Sequence, residues 1–127
     1  MPSIRLSPRE KQVMEILWER NEASIRELHD ALPVRKRPAY TTVQTLIYRL
    51  ETKRAVRRVR KVGNFHIFAP SITQEDTQRG LLNDLLALFH GQSRPVIAHL
   101  IESGKLTRED IAYAEDTLRA FEEEGQS

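Results

Sequence analysis

Cysteine is absent from the 127 residues. That excludes disulfides, thiol nucleophiles and cysteine-based zinc or copper sites, and it suits a cytoplasmic protein without requiring one. No apolar run approaches the roughly 20 residues that span a bilayer, and the N-terminus lacks the apolar stretch of a secretory signal, so no membrane partner is expected. A Gly-rich phosphate loop, a His-Glu-x-x-His and a Gly-x-Ser-x-Gly are all missing, and with them the common spacings that assemble phosphate, zinc or nucleophile chemistry. The histidines are scattered at positions 29, 66, 90 and 99, too far apart in sequence to suggest a ligand set. An enzyme is not expected, nor are catalytic residues, a metal or another cofactor.

What is present is charge, unevenly placed. Hydrophobic content is 39% and charged content 30%, which fits a folded, soluble chain. The net charge of +2 hides a split, because residues 1–70 carry 15 Lys/Arg against 7 Asp/Glu and residues 71–127 carry 5 against 11. A basic half joined to an acidic half suggests one face for nucleic acid and a second part with another task.

The basic half reads as three helices and a hairpin. Ser7-Pro8-Arg9-Glu10 is a capping box with proline at the first helical position, and Val13, Met14, Leu17 and Trp18 give the helix its apolar face. Trp18 is assigned to the core. Ser24-Ile25-Arg26-Glu27 repeats the box and opens a short helix that must stop before Pro33. His29 on that helix reads as solvated surface, because it and Asp30 are adjacent and do not share a helix face. Pro33-Val34-Arg35-Lys36-Arg37-Pro38 is a connector with three consecutive cations.

The stretch from Pro38 to Pro70 organises the rest. Val43, Leu46, Ile47 and Leu50 fall at i, i+3, i+4 and i+7, one apolar stripe of a third helix. That helix is expected to start near Thr41, with Thr41 and Gln44 forming a capping box. Its opposite arc carries Thr41, Thr45, Tyr48, Arg49 and Thr52, none acidic. Ala55–Val62 and Phe65–Ala69 then form a hairpin around Gly63-Asn64, and from Arg54 to Lys61 there are five cations and no carboxylate. A polar helix face beside a basic hairpin is the equipment of a winged helix-turn-helix on double-stranded DNA. Thr42, Gln44, Thr45 and Arg49 are the expected base readers. Arg35, Lys36, Arg37, Thr41, Tyr48, Lys53, Arg57, Arg58, Arg60 and Lys61 are the expected phosphate contacts. The alternative is a winged helix that binds protein rather than DNA, which would want acidic or apolar residues on the third helix.

The acidic half, residues 72–127, reads as helices opened by Thr73-x-x-Asp76 and Thr107-x-x-Asp110, with acids in the first turn where the helix dipole favours them. Leu81, Leu82, Leu85, Leu86 and Phe89 belong to one helix, which Gly91 ends. Ile97 and Leu100 belong to a second, and Ile111 and Leu118 to a third. So short a segment cannot bury that much apolar surface by itself. A second copy of the chain is the simplest cover, making 1–71 a winged-helix DNA-binding domain and 72–127 a helical dimerisation domain. The expected fold class is mainly α with a small β-hairpin wing.

These residues resemble the penicillinase-repressor family, the BlaI/MecI/CopY-type regulators. The resemblance is carried by LSPREKQVMEILW at 6–18, YTTVQTLIYRLETK at 40–53, the Gly-Asn hairpin ending FHIFAP, and IESGKLTREDI at 101–111. It implies a winged-helix domain, a helical dimerisation domain, and repression by a homodimer on a palindromic operator. Arg54 stands where the family often has glycine. The antibiotic-responsive branch is released by cutting an Asn-Phe bond whose matching position here is His99-Leu100, and the copper branch's C-terminal cysteine motif is absent. The copper route of release does not carry over, release by proteolysis or by another mechanism stays open, and the residues do not specify an inducing signal or an upstream sensor.

Overall fold

The computed structural model describes residues 4–125. In chain order the elements are α1 (Pro8–Arg20), β1 (Ala23–Ser24), α2 (Ile25–Ala31), α3 (Tyr40–Thr52), β2 (Val56–Val62), β3 (Phe65–Pro70), α4 (Gln74–Leu88), α5 (Arg94–Glu102) and α6 (Arg108–Gly125). Both Ser-x-x-Glu boxes form. The Glu10 amide donates to Ser7 Oγ and the Ser7 amide to Glu10 Oε1, and Ser24 and Glu27 repeat the exchange. Each pair satisfies two backbone donors that a helix start would leave open. α2 stops at Ala31, and Leu32 turns extended ahead of Pro33, as the clash with a proline ring demands.

The third helix starts differently from expectation. Its N-cap is Ala39, held extended, with no side-chain cap, so Thr41 and Gln44 lie inside the helix and form no box. The register of the stripe is unaffected, and Val43, Leu46, Ile47 and Leu50 are all buried. They meet Val13, Met14 and Leu17 of α1, Leu28 of α2, and Phe68 of β3 in one core. Trp18 packs against that core half-buried, and its indole N–H donates to the carbonyl of Ile72 at 2.8 Å.

The exit of α3 is a Schellman turn. The Arg54 amide donates to Glu51 O at 3.0 Å and the Ala55 amide to Leu50 O at 2.8 Å, with Ala55 and Leu50 both buried. The motif needs a left-handed residue after the cap, usually glycine. Here Arg54 takes it, at φ 64°.

The sheet is antiparallel with order β1-β3-β2, so β2 is an edge strand. Between Arg58 and Arg60 the register slips: Arg58 pairs with Phe68 and Arg60 with Ile67. The extra residue, Val59, is a bulge, and it reverses the alternation of every side chain beyond it.

The chain divides into two compact units, Met1–Leu82 and Asn83–Ser127, and the division falls inside α4. Thr73 caps α4 by accepting from the Asp76 amide, and Thr107 and Asp110 form a reciprocal cap on α6. At the end of α4 the first left-handed residue is His90, ahead of Gly91. α5 and α6 contain no buried residue. Leu85, Phe89, Ile97, Ile111 and Leu118 are exposed, as are Leu81 and Leu82 of the first unit, while Leu86 and Leu100 are half-buried.

Candidate nucleic-acid interface

The stripe that buries one side of α3 fixes what the other side offers. Thr41, Thr42, Thr45, Tyr48, Arg49 and Thr52 are exposed, and Gln44 is half-buried at the flank. Thr45 donates its hydroxyl to Thr41 O and Thr52 donates to Tyr48 O, which leaves each hydroxyl oxygen free to accept. Gln44 Nε2 donates to Tyr48 Oη at 3.1 Å. The amide therefore holds the phenol in place while its own carbonyl oxygen stays open.

The only acid in α3 is Glu51, and it is occupied. Arg58 reaches across from β2 to bind it through Nε and Nη2, at 2.8 and 3.2 Å. The same guanidinium lies over the rings of Tyr48 and Phe68, 5.7 and 5.5 Å from their centres, and the Glu51 hydrogen bond raises its already high pKa. The hairpin that is free of acid in sequence is thus partly neutralised in space. Arg60 pairs with Glu22, and Arg57 donates to Pro70 O at 2.6 Å. Because of the bulge, Arg58 and Lys61 share the sheet face of Phe68, whereas Arg57 and Arg60 share the face of Ile67 and Ala69. The four cations are not one row.

Lys53, at the exit of α3, donates to Glu10 Oε1 at 2.8 Å and to Arg5 O at 2.9 Å, leaving one N–H uncommitted. Glu10 is buried and its Oε2 has no partner among the described residues. Burial pushes its carboxyl up, but the Lys53 hydrogen bond, the Ser7 amide and hydroxyl and the Lys53 charge together hold it below its ordinary value. This pair joins α1 to the end of α3 across 43 positions, and nothing in the sequence signals it.

The connector is also more structured than its composition suggests. Arg37 donates Nε and Nη2 to Leu32 O and Nη2 to Asp30 O, so it caps the end of α2. His29 is half-buried rather than solvated. Its Nε2–H donates to Pro38 O at 3.1 Å, its Nδ1 lies 3.5 Å from Asp30, and its ring meets Tyr40 edge-on. Among the described residues, the side chains of Arg35, Lys36, Arg49 and Lys61 have no hydrogen-bond or ion-pair partner. Arg49 is the cation that stands on the exposed face of α3 itself.

Comparison with known proteins fits this geometry. The penicillinase-repressor family matches residues 6–120. The chain belongs to the penicillinase-repressor family. It is 36% identical over 101 residues to the transcriptional regulator BlaI of Mycobacterium tuberculosis, covering 77% of this chain and 72% of that one. It is 24% identical over 116 residues to the penicillinase repressor of Staphylococcus aureus, covering 91% of each. The solution structure of the DNA-binding domain of the repressor BlaI superposes with a TM-score of 0.51 at 27% identity, over 60% of this chain and 93% of that domain. The winged-helix assignment of the first unit follows, and the relatives of this penicillinase-repressor family chain are named as transcriptional regulators and repressors. Among the described residues no histidine–carboxylate cluster could hold a metal ion, and no helix is long and apolar enough to cross a membrane.

Proposed function

We propose that the chain is a sequence-specific DNA-binding repressor that acts as a homodimer on a palindromic operator. The observation that carries this is the exposed face of α3, which has threonines, a tyrosine and an unpartnered arginine, with its one acid tied to Arg58. Thr42, Thr45 and Arg49 read base edges in the major groove, and Gln44 offers its free carbonyl oxygen beside them. Arg35, Lys36, Lys61, Thr41, Tyr48 and the spare N–H of Lys53 grip phosphates, with Arg57, Arg58 and Arg60 contributing as far as their internal partners allow. Arg37 holds the connector in shape. A protein-binding winged helix would present acid or apolar surface where this one presents hydroxyls and a cation.

Dimerisation explains the apolar side chains left uncovered on α4, α5 and α6. Leu81, Leu82, Leu85, Leu86, Phe89, Ile97, Leu100, Ile111 and Leu118 form the proposed interface, in the helical domain after the wing. Two copies would place their α3 helices on half-sites about 34 Å, one helical turn, or a multiple of that apart. The test is a binding titration of the full chain against a duplex selected from a randomised pool, repeated across salt concentrations. Log affinity should fall against log salt with a slope of about −0.9 for each phosphate neutralised. A flat response, or a pool from which nothing is selected, would overturn the reading.

A further inference from the structure

Within the first unit, α1 and the first turns of α4 enclose a cleft of about 390 Å3. Its volume falls in the range of roughly 300–1,000 Å3 that holds small organic molecules. Ile4 and Leu6, ahead of α1, form a third wall, so the space is a pocket rather than an open groove. Leu6 and Trp18 make its interior apolar, and both are half-buried. The Trp18 indole N–H already donates to Ile72 O at 2.8 Å, so the ring offers an occupant apolar contact and has no polar demand left. The polar lining is arranged in two pairs. Lys11 and Glu15 stand one turn apart on α1, and Gln74 and Gln78 one turn apart on α4, all four exposed. None of these four side chains has a hydrogen-bond or ion-pair partner among the described residues. None belongs to α3 or the hairpin, so the proposed DNA contact leaves them without a task.

We propose that this cleft binds a flat, uncharged ring compound with a hydrogen-bonding edge, such as an aromatic amide, and that its occupancy lowers operator affinity. The ring packs on Trp18 and Leu6, where aromatic contact and loss of apolar surface to water both favour it. The edge meets the four polar side chains. One of them is a cation and one an anion, so a net charge on the ligand would be repelled by one as it is drawn to the other. A neutral group that both donates and accepts satisfies Lys11, Glu15 and the two glutamine amides together. The regulatory half rests on the proposed repressor function, whereas the site itself does not. Leu81 lines the cleft one turn beyond Thr77 and Gln78, and it also belongs to the proposed dimer interface. A ligand seated there therefore distinguishes between positions of α4 that pair the two copies differently, and DNA and ligand oppose each other by the same factor.

Trp18 is the one tryptophan of the chain, so its indole N–H gives a single resonance that reports the cleft. The full chain is titrated with naphthamide, naphthoate and naphthylmethylammonium while that resonance is followed by NMR. Naphthamide should shift it saturably and bind about fivefold or more tighter than either charged analogue. Thr77→Phe, which puts a ring into the cleft from the α4 wall, should abolish the saturable shift while keeping native circular dichroism. Lys11→Ala with Glu15→Ala, at two exposed positions, should weaken naphthamide by about fivefold and provides a second variant if the first does not fold. Saturating naphthamide should weaken binding to a selected duplex by about fivefold or more in wild type and not in the variants. No saturable shift, as when a second copy fills the cleft, tighter binding of a charged analogue, or naphthamide binding unchanged in both variants would overturn the site. A saturable shift with unchanged duplex affinity would overturn its regulatory role. A chain that selects no duplex would overturn the function proposed above and leave the indole titration to decide the site.

Discussion

Replacing Arg54 by glycine should stabilise the winged-helix unit. Arg54 follows the last turn of α3 at φ 64°, where an L side chain crowds its own backbone at a cost of about 1–2 kcal/mol. Glycine removes that strain but makes the unfolded chain more flexible, which returns about 0.4–1 kcal/mol. The net gain should be about 0.5–1 kcal/mol, or roughly 2–8 °C in Tm for a unit of this size. Arg54→Ala separates conformation from charge, since alanine loses the guanidinium and keeps the Cβ. Urea titrations of the three proteins should place Ala close to Arg and Gly above both. Both variants lose the same charge, so their affinities for a selected duplex should shift equally. If Ala and Gly are equally stable, the strain assigned to this turn does not exist.

Lys53→Met should cost about 1–2 kcal/mol near neutral pH, below the full cost of breaking a buried pair because Lys53 is partly exposed. Since Glu10 is held below its ordinary pKa in the folded state, its contribution is present above the unfolded value and is lost as pH falls through the folded one. The gap between wild type and variant in urea titrations should therefore narrow from about pH 7 to about pH 3.5, and a gap that widens in acid would refute the pairing. Leu85→Lys with Leu86→Lys should yield monomers by analytical ultracentrifugation with weakened operator binding. Unchanged mass and affinity would place the interface elsewhere. Arg37→Ala should lower stability by about 1 kcal/mol or more, through the opened end of α2, as read by thermal denaturation. A change in the salt slope without a change in stability would make Arg37 a phosphate contact instead.

Much of the fold is local and therefore legible in the sequence. The two Ser-x-x-Glu boxes, the stripe Val43-Leu46-Ile47-Leu50 and the Gly-Asn hairpin each depend on residues within one or two turns, and each forms as its spacing predicts. What was illegible depends on contacts between distant segments. Glu10 with Lys53 and Glu22 with Arg60 are separated by 43 and 38 positions, so a ribbon written without acids still acquires acid partners. The bulge at Val59 has no glycine to announce it, yet it splits the basic residues between two faces. Thr41 and Gln44 have the spacing of a capping box, but the helix begins one residue earlier, at Tyr40, after an extended Ala39. Both therefore sit within the first turns, where Gln44 turns toward Tyr48. His29 reads as surface in the sequence because its partners, Pro38 O and the Tyr40 ring, lie at and past the far end of the connector.

If the exposed face of α3 reads sequence, Arg49 is its charged reader. The most direct measurement compares wild type and Arg49→Ala on the selected duplex and on its single-base variants. Arg49→Ala should lose about 1–3 kcal/mol on the parent duplex and no longer discriminate at one base position. An equal loss on every duplex, or no loss at all, would contradict it.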